Sequence, residues 1–181
     1  MLRGRVCRRE QRISDCLLAR LYDILPDIGI NKKRVRTMPF QLPDPSTPFG
    51  VRVARRLREE RLIWLTTVDA KGTPQPTPVW FLWDDANSTI LIYSLAGAKR
   101  LEHLQHNSRV ALNFDGNGKG GDIIVITGEA YVSTDDPPAD RLPVYVEKYR
   151  EFIARSFRTA EVFAAKYPVT LRIRPIAIRG H

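Results

Sequence analysis

Cysteine is scarce in this 181-residue chain, and what there is stands at one end: Cys7 and Cys16 both fall within the first 37 residues. Their spacing matches no metal or redox motif, and with none left for the core a disulfide framework is excluded. Long apolar runs are absent as well. The densest stretches, Val79–Trp83 and Ile123–Ile126, fall far short of the roughly 20 residues that a membrane helix needs. No basic segment followed by an apolar run and a small-residue cleavage site is found, so no secretory signal is read and the cytoplasm is the expected compartment. Histidine occurs only at His103, His106 and His181. No Ser/His/Asp arrangement or nucleophile elbow accompanies it, which leaves hydrolysis by a triad without support. Internal repeats and low-complexity tracts are lacking too.

Positive charge is plentiful but unevenly placed. The net charge of +9 looks like a nucleic-acid footprint until it is divided along the chain. Residues 1–37 hold ten Lys and Arg against four Asp and Glu, a net of +6, and the remainder holds 19 against 16, a net of +3. Most of the excess leaves with the first segment, which argues against a basic nucleic-acid face on the folded domain. Composition changes at Met38, where MPFQLPDPSTPFG reads like a natural N-terminus. Residues 1–37 are therefore expected to be a basic extension, disordered or weakly helical, or the product of a misassigned start. Asp15, Asp23 and Asp27 count against a transit peptide. Residues 38–181 are expected to form one domain, long enough to bury a sizeable core.

Past the proline-rich lead-in, Gly50–Glu60 is helical by composition, with Val53 and Leu57 on one face, and is expected to close one end of a barrel. Leu62–Val68 alternates and is rich in β-formers, and DAKG supplies a hairpin turn into a second strand over Gln75–Trp83. Pro74, Pro76 and Pro78 lack a ladder donor and mark that strand as an edge or an opening. DDANS turns the chain into a third strand, Thr89–Ser94, and AKRLEHLQHN has helical spacing with Leu101 and Leu104 inward. Arg109–Asp115 and Asp122–Ser133 are two further strands joined by GNGKGG, the second interrupted at Gly128 by a bulge or bend. A helical region over Asp135–Phe157, opened by Asp136 and two prolines, another short helix over Thr159–Tyr167 and a last strand, Val169–Arg179, complete the chain. The pattern is mainly β with helices: six strands, mostly joined by hairpins, forming a closed antiparallel barrel.

Several motifs invite chemistry. GNGKGG lacks the Ser or Thr and the helix that a phosphate loop requires, and reads as a hairpin. His103 and His106 could share a helix face, but no further ligand stands at useful spacing, so no metal site is expected. Alternation puts Val79, Phe81 and Trp83 on one face of their strand and Pro78, Trp80 and Leu82 on the other. One face fills the barrel; the other needs a helix, a second subunit or a ligand to cover it. Core packing is the expected role of Trp64 and Phe81. Lys99 reads either as a solvated helix residue or, from its place at a helix N-terminus where N–H groups and the dipole favour an anion, as the partner of something negative. Thr73 to Leu104 thus sets an apolar surface beside Ser94 and Lys99, the combination that a planar ring carrying a phosphate requires.

At these residues (LTTVDAKGTPQPTPVWFLW, ILIYS, AKRLEHLQHNSRVALNF, GDIIVITGEAYV, VYVEKYR and RIRPIAIRG) the chain resembles the pyridoxamine 5'-phosphate oxidase-like superfamily of FMN-binding split β-barrels. Within it, the resemblance is to the branch of F-420-dependent enzymes, which use a deazaflavin. It implies a six-stranded, Greek-key-like split β-barrel that forms a homodimer, with the cofactor in the groove between subunits. On the matching positions, Thr77, Pro78, Val79 and Trp80 would run along the ring system, mainly through backbone groups. Ser94 and Lys99 would hold the phosphate, with Arg100 a weaker helper. Gly97 stands where several relatives carry an arginine, which leaves the choice between FMN and deazaflavin open. The implied activity is that of an oxidoreductase in which coenzyme F-420 delivers hydride to an electron-poor double bond of a small molecule. An FMN-dependent oxidoreductase, or a non-catalytic flavin carrier on the same fold, is the alternative. No catalytic residue is assigned; Tyr93 is a candidate proton donor without support. Neither a membrane nor a nucleic-acid partner is expected.

Overall fold

Thr47 begins the first helix, α1 (Pro48–Glu59), because its hydroxyl accepts the Gly50 N–H at 3.0 Å and Pro48 needs no donor in the first turn. The structure is a computed structural model that describes residues 40–181, and the extension expected over 1–37, with Cys7 and Cys16, lies outside the described residues. Val53 and Leu57, one turn apart on α1, are wholly buried, as the periodicity predicts. Arg56 departs from the expected solvated face. It is buried, donates to the Asp115 carbonyl at 2.7 Å and the Asp122 carboxylate at 3.0 Å, and lies over the Phe114 ring at 4.8 Å. The helix is thereby pinned across the barrel end at both flanks of the GNGKGG loop.

Seven strands follow among the described residues: β1 (Leu62–Val68), β2 (Pro74–Trp80), β3 (Leu82–Asp84), β4 (Thr89–Ser94), β5 (Arg109–Asn113), β6 (Ile124–Ser133) and β7 (Val169–Gly180). They interleave with α2 (Lys99–His106), α3 (Pro143–Phe157) and α4 (Ala160–Lys166). The sheet order is β2-β1-β5-β6-β7-β4-β3, with every pairing antiparallel. The two edge strands, β2 and β3, are neighbours in sequence, separated by Phe81 alone, so the sheet curls until its ends meet at one residue.

That junction corrects the expected six strands to seven. The run Gln75–Trp83 pairs with β1 as far as Trp80 and with β4 from Leu82 onward. At Phe81 the ladder is replaced by a side chain: the Tyr149 hydroxyl accepts the Phe81 N–H at 2.8 Å. Its single proton is shared between the Phe81 carbonyl at 2.7 Å and the Arg61 carbonyl at 2.9 Å. Sequence alternation carries no trace of this, because Phe81 keeps its inward direction while its backbone changes partner.

Two apolar clusters result. Inside the barrel lie Ile63 and Leu65 of β1, Val79, Phe81 and Trp83, Ile90 and Ile92 of β4, and partners from β5, β6 and β7. Outside, Leu91, Tyr93, Trp80 and Leu82 meet Tyr145, Tyr149, Ile153 and Phe163 of α3 and α4. The expected two faces of the Val79–Trp83 run are therefore both realised, the outer one under helices. Trp64 is a correction: it faces outward, half-buried, with its Nε1 donating to Asp115 at 2.9 Å, because β1 alternates so that Ile63, Leu65 and Thr67 point inward. A second correction concerns Asp135–Phe157, where a single 3-10 turn, Ala139–Arg141, follows the two prolines and the α-helix proper starts at Pro143. Asp136 does not open a helix. It pairs with Arg172 of β7, which also meets Asp84 and the Thr89 hydroxyl, and so ties the 134–142 connection to β3 and β4. The bulge expected at Gly128 is present as a register shift between Thr127 and Gly128 opposite β7.

Candidate cofactor site

All six residues of β4 are buried, Ile90 and Ile92 toward the barrel and Leu91 and Tyr93 toward α3 and α4. Its last residue, Ser94, is 1% exposed, and its hydroxyl has one long contact, with the Leu95 carbonyl at 3.5 Å. A tight turn follows, closed by the Ala98 N–H on the Leu95 carbonyl at 3.1 Å, and Lys99 opens α2. Ala98 in the cap position has no oxygen to offer, so no side chain caps the first-turn N–H groups. α2 is held against the barrel by Leu101 and Leu104, and by a 2.9 Å hydrogen bond between His103 Nδ1 and the buried Thr67 hydroxyl. His103 thus serves to dock the helix.

The two expected phosphate cations lie in different settings. The Lys99 side chain is 83% exposed, and its ammonium pairs with Glu102 on the same helix at 3.2 Å. Arg100 is half-buried, and among the described residues no carboxylate meets it. Burial lowers its pKa from the ordinary guanidinium value, with Tyr167 acting in the opposite direction. Ser94, buried, and Arg100, half-buried without a carboxylate partner among the described residues, thus stand at either end of the turn that opens α2, where uncapped N–H groups favour an anion.

Of the residues expected along the ring system, Thr77 is half-buried opposite Leu65, Pro78 is exposed opposite Trp64, and Val79 is in the barrel core. Trp80 packs its ring parallel to Tyr149, 4.7 Å between centroids, with Phe163 at 5.4 Å on stacked geometry and Phe152 and Phe157 edge-on. Its indole is committed to the outer cluster, which leaves backbone as the part of Trp80 open to other use. β2 is an edge, and its prolines alternate with Gln75, Thr77 and Val79. In an antiparallel pair a residue turns its N–H and C=O to the same side, so Gln75, Thr77 and Val79 can all face β1 while the three prolines and Trp80 face away. From Pro74 to Pro78 the open side then offers proline carbonyls as acceptors and no donors, with the Trp80 N–H at its end.

Tyr93 donates its hydroxyl to the Pro137 carbonyl at 2.8 Å, and burial, with Asp136 adding, pushes its pKa up to about 12. Its proton is therefore held rather than available for transfer. The side chains that sequence reasoning missed are Arg56, Tyr149 and Arg172, whose partners on other elements lie 36 to 88 residues away. No local pattern marks such contacts.

A seven-stranded antiparallel sheet whose edge strands meet at Phe81, with an open proline edge, defines the class of split β-barrels. The profile of the pyridoxamine 5'-phosphate oxidase family matches residues 51–179, and the chain belongs to that family. Among solved structures it is similar to an F-420 reductase at 19% identity, covering 69% of this chain and 94% of that one with a TM-score of 0.54. A candidate pyridoxamine 5'-phosphate oxidase from Listeria innocua is similar at 21% identity, covering 71% and 94% with a TM-score of 0.52. A conserved hypothetical protein from Mycobacterium tuberculosis is similar at 18% identity, covering 79% and 88% with a TM-score of 0.55. At these identities the likeness speaks for the fold alone. Among curated proteins none matches. Among the described residues no helix is long and apolar enough to cross a membrane.

Proposed function

We propose that this chain is an oxidoreductase that uses a deazaflavin, coenzyme F-420, to transfer hydride to an electron-poor double bond of a small molecule. The observation that carries the reading is the corner formed by Ser94, the uncapped start of α2 and Arg100, in a chain of the pyridoxamine 5'-phosphate oxidase family. Arg100 would provide the main cationic contact to the phosphate and Ser94 a hydroxyl donor, with Lys99 adding only a screened surface charge. Within Thr77 to Trp80, Pro78 and Trp80 would turn their backbone carbonyls toward the ring, while Thr77 and Val79 hold the strand to β1. When bound, such a cofactor supplies the hydride; the chain contributes orientation and the exclusion of water. The preference for deazaflavin over FMN rests on the sequence resemblance. A second copy of the chain would complete the groove, a reading supported by the exposed apolar side chains Tyr131 and Val132 of β6 and Ile176 of β7.

Titration of the full chain with F-420 and with FMN, followed by fluorescence, tests the reading. Tighter binding of F-420 is expected, together with turnover on a panel of enones and quinones. Binding of neither cofactor would overturn it, and binding without turnover would mark a carrier. Arg100→Ala is expected to weaken binding about 10-fold or more, equivalent to about 1.4 kcal/mol, and Lys99→Ala less than about 3-fold. The reverse order would restore the lysine as the phosphate contact.

A further inference from the structure

α3 carries a lysine that the cofactor corner does not use. The Nζ of Lys148 is closed off from solvent, and no hydrogen-bond acceptor meets it among the described residues. It lies 4.1 Å from the centroid of the Phe81 ring and 5.8 Å from that of Tyr149, at the point where the sheet closes. An ammonium carries three N–H donors and is strongly hydrated, and an aromatic face makes up only part of what it loses on burial. The group is therefore biased toward the free amine. Burial lowers its pKa to about 8, with the Glu60 carboxylate opposing and the Arg61 guanidinium adding to the effect. A free, desolvated amine is the nucleophilic form of lysine.

We propose that Lys148 is a covalent modification site that condenses with small aldehydes to form an imine. The nitrogen lone pair attacks the carbonyl carbon, a C–N bond forms, and the carbonyl oxygen leaves as water with both hydrogens of the amine. No electrons are exchanged and no co-reactant is needed. The chemistry suits the site because condensation removes N–H donors that have no acceptor: the protonated imine keeps one, the neutral imine none. Either form can stay on the face of Phe81. Arg61, exposed, lying over Phe152 at 5.2 Å and close enough to Lys148 to act on its charge, is a long flexible side chain whose displacement would admit a two-carbon aldehyde.

The test uses the full chain treated with acetaldehyde and cyanoborohydride at pH 7.5, then digested and mapped by mass spectrometry. Lys148 is expected to be ethylated about 10-fold faster than the exposed Lys71 and Lys119, whose ammonium groups water can solvate as that of Lys148 cannot be. Lys148→Met should remove that fast phase and leave the rest. Labelling of Lys148 at or below the rate of Lys71 and Lys119, in protein that keeps its folded circular dichroism, would overturn the proposal and leave the residue a structural cation on Phe81. The decisive readout is on the unmutated chain, so it does not depend on any variant folding.

Discussion

Two tyrosines one turn apart on α3 make a matched pair for testing how the barrel is closed. Tyr149 and Tyr145 are both wholly buried, and each loses one hydroxyl on change to Phe. The Tyr149 hydroxyl is the partner of both backbone groups of Phe81, at 2.8 and 2.7 Å, in place of a strand. Tyr149→Phe leaves a buried N–H without an acceptor, which costs about 1–3 kcal/mol, and forfeits a donated hydrogen bond worth about 1 kcal/mol. The stack on Trp80 is kept, so the loss should be about 2–3 kcal/mol, a Tm lower by about 8–12 °C for a domain of this size. The Tyr145 hydroxyl has no hydrogen-bond partner among the described residues. Removing a buried polar atom that makes no bond should leave stability unchanged or raise it by up to about 1 kcal/mol. Urea melts followed by circular dichroism read both variants, with unchanged m-values as the check that midpoint shifts report stability. Equal losses for the two, or a loss below about 0.5 kcal/mol for Tyr149→Phe, would refute the claim that a tyrosine stands in for a strand at Phe81.

Arg172→Met should cost about 2–4 kcal/mol at pH 7, since it leaves two largely buried carboxylates facing each other. The Arg172 hydrogen bond lowers the Asp136 pKa; for Asp84, burial pushes upward but the bonds from Asn87 and Arg172 outweigh it. Stability from these depressed values is full above the unfolded pKa near 4 and is lost as pH falls through the folded values. In the variant the two carboxylates repel, so the gap between wild type and variant should narrow below pH about 4; a gap that stays constant in acid melts would count against the pairing. Gly128→Ala sets a Cβ 2.6 Å from the Arg174 carbonyl, and the resulting shift of backbone should cost about 1–3 kcal/mol, with faster amide exchange along β6 and β7.

Much of the fold can be read from local pattern. Val53 and Leu57, the alternation of Val79, Phe81 and Trp83, the bulge at Gly128 and the edge character of the proline strand all follow from spacing along one segment. The elements misjudged are those whose fate is decided at long range. Phe81 changes strand partner because of Tyr149, and Asp136 leaves its helix-capping position because Arg172 holds it. Ser94, Lys99 and Arg100 stand out in the sequence as a serine and two cations after a strand. That Lys99 is exposed and paired with Glu102 while Arg100 is half-buried depends on packing that the local pattern does not carry. Local pattern encodes which face a residue takes, and only tertiary contact decides what meets it there.

β7 lies in the middle of the sheet, with β2, β1, β5 and β6 on one side and β4 and β3 on the other. It is also the last of the described strands to leave the ribosome. Until it emerges, the earlier strands can form only two separate ribbons, each with an apolar side and an unpaired edge, and β4, buried along its length in the finished fold, waits without its neighbour. Pairings of this span are slow to form, so the barrel is assembled late and all at once. A stalled or shortened chain that lacks β7 would release a sticky pair of half-sheets, and the cell's protection of the nascent protein matters most in the interval before those twelve residues appear.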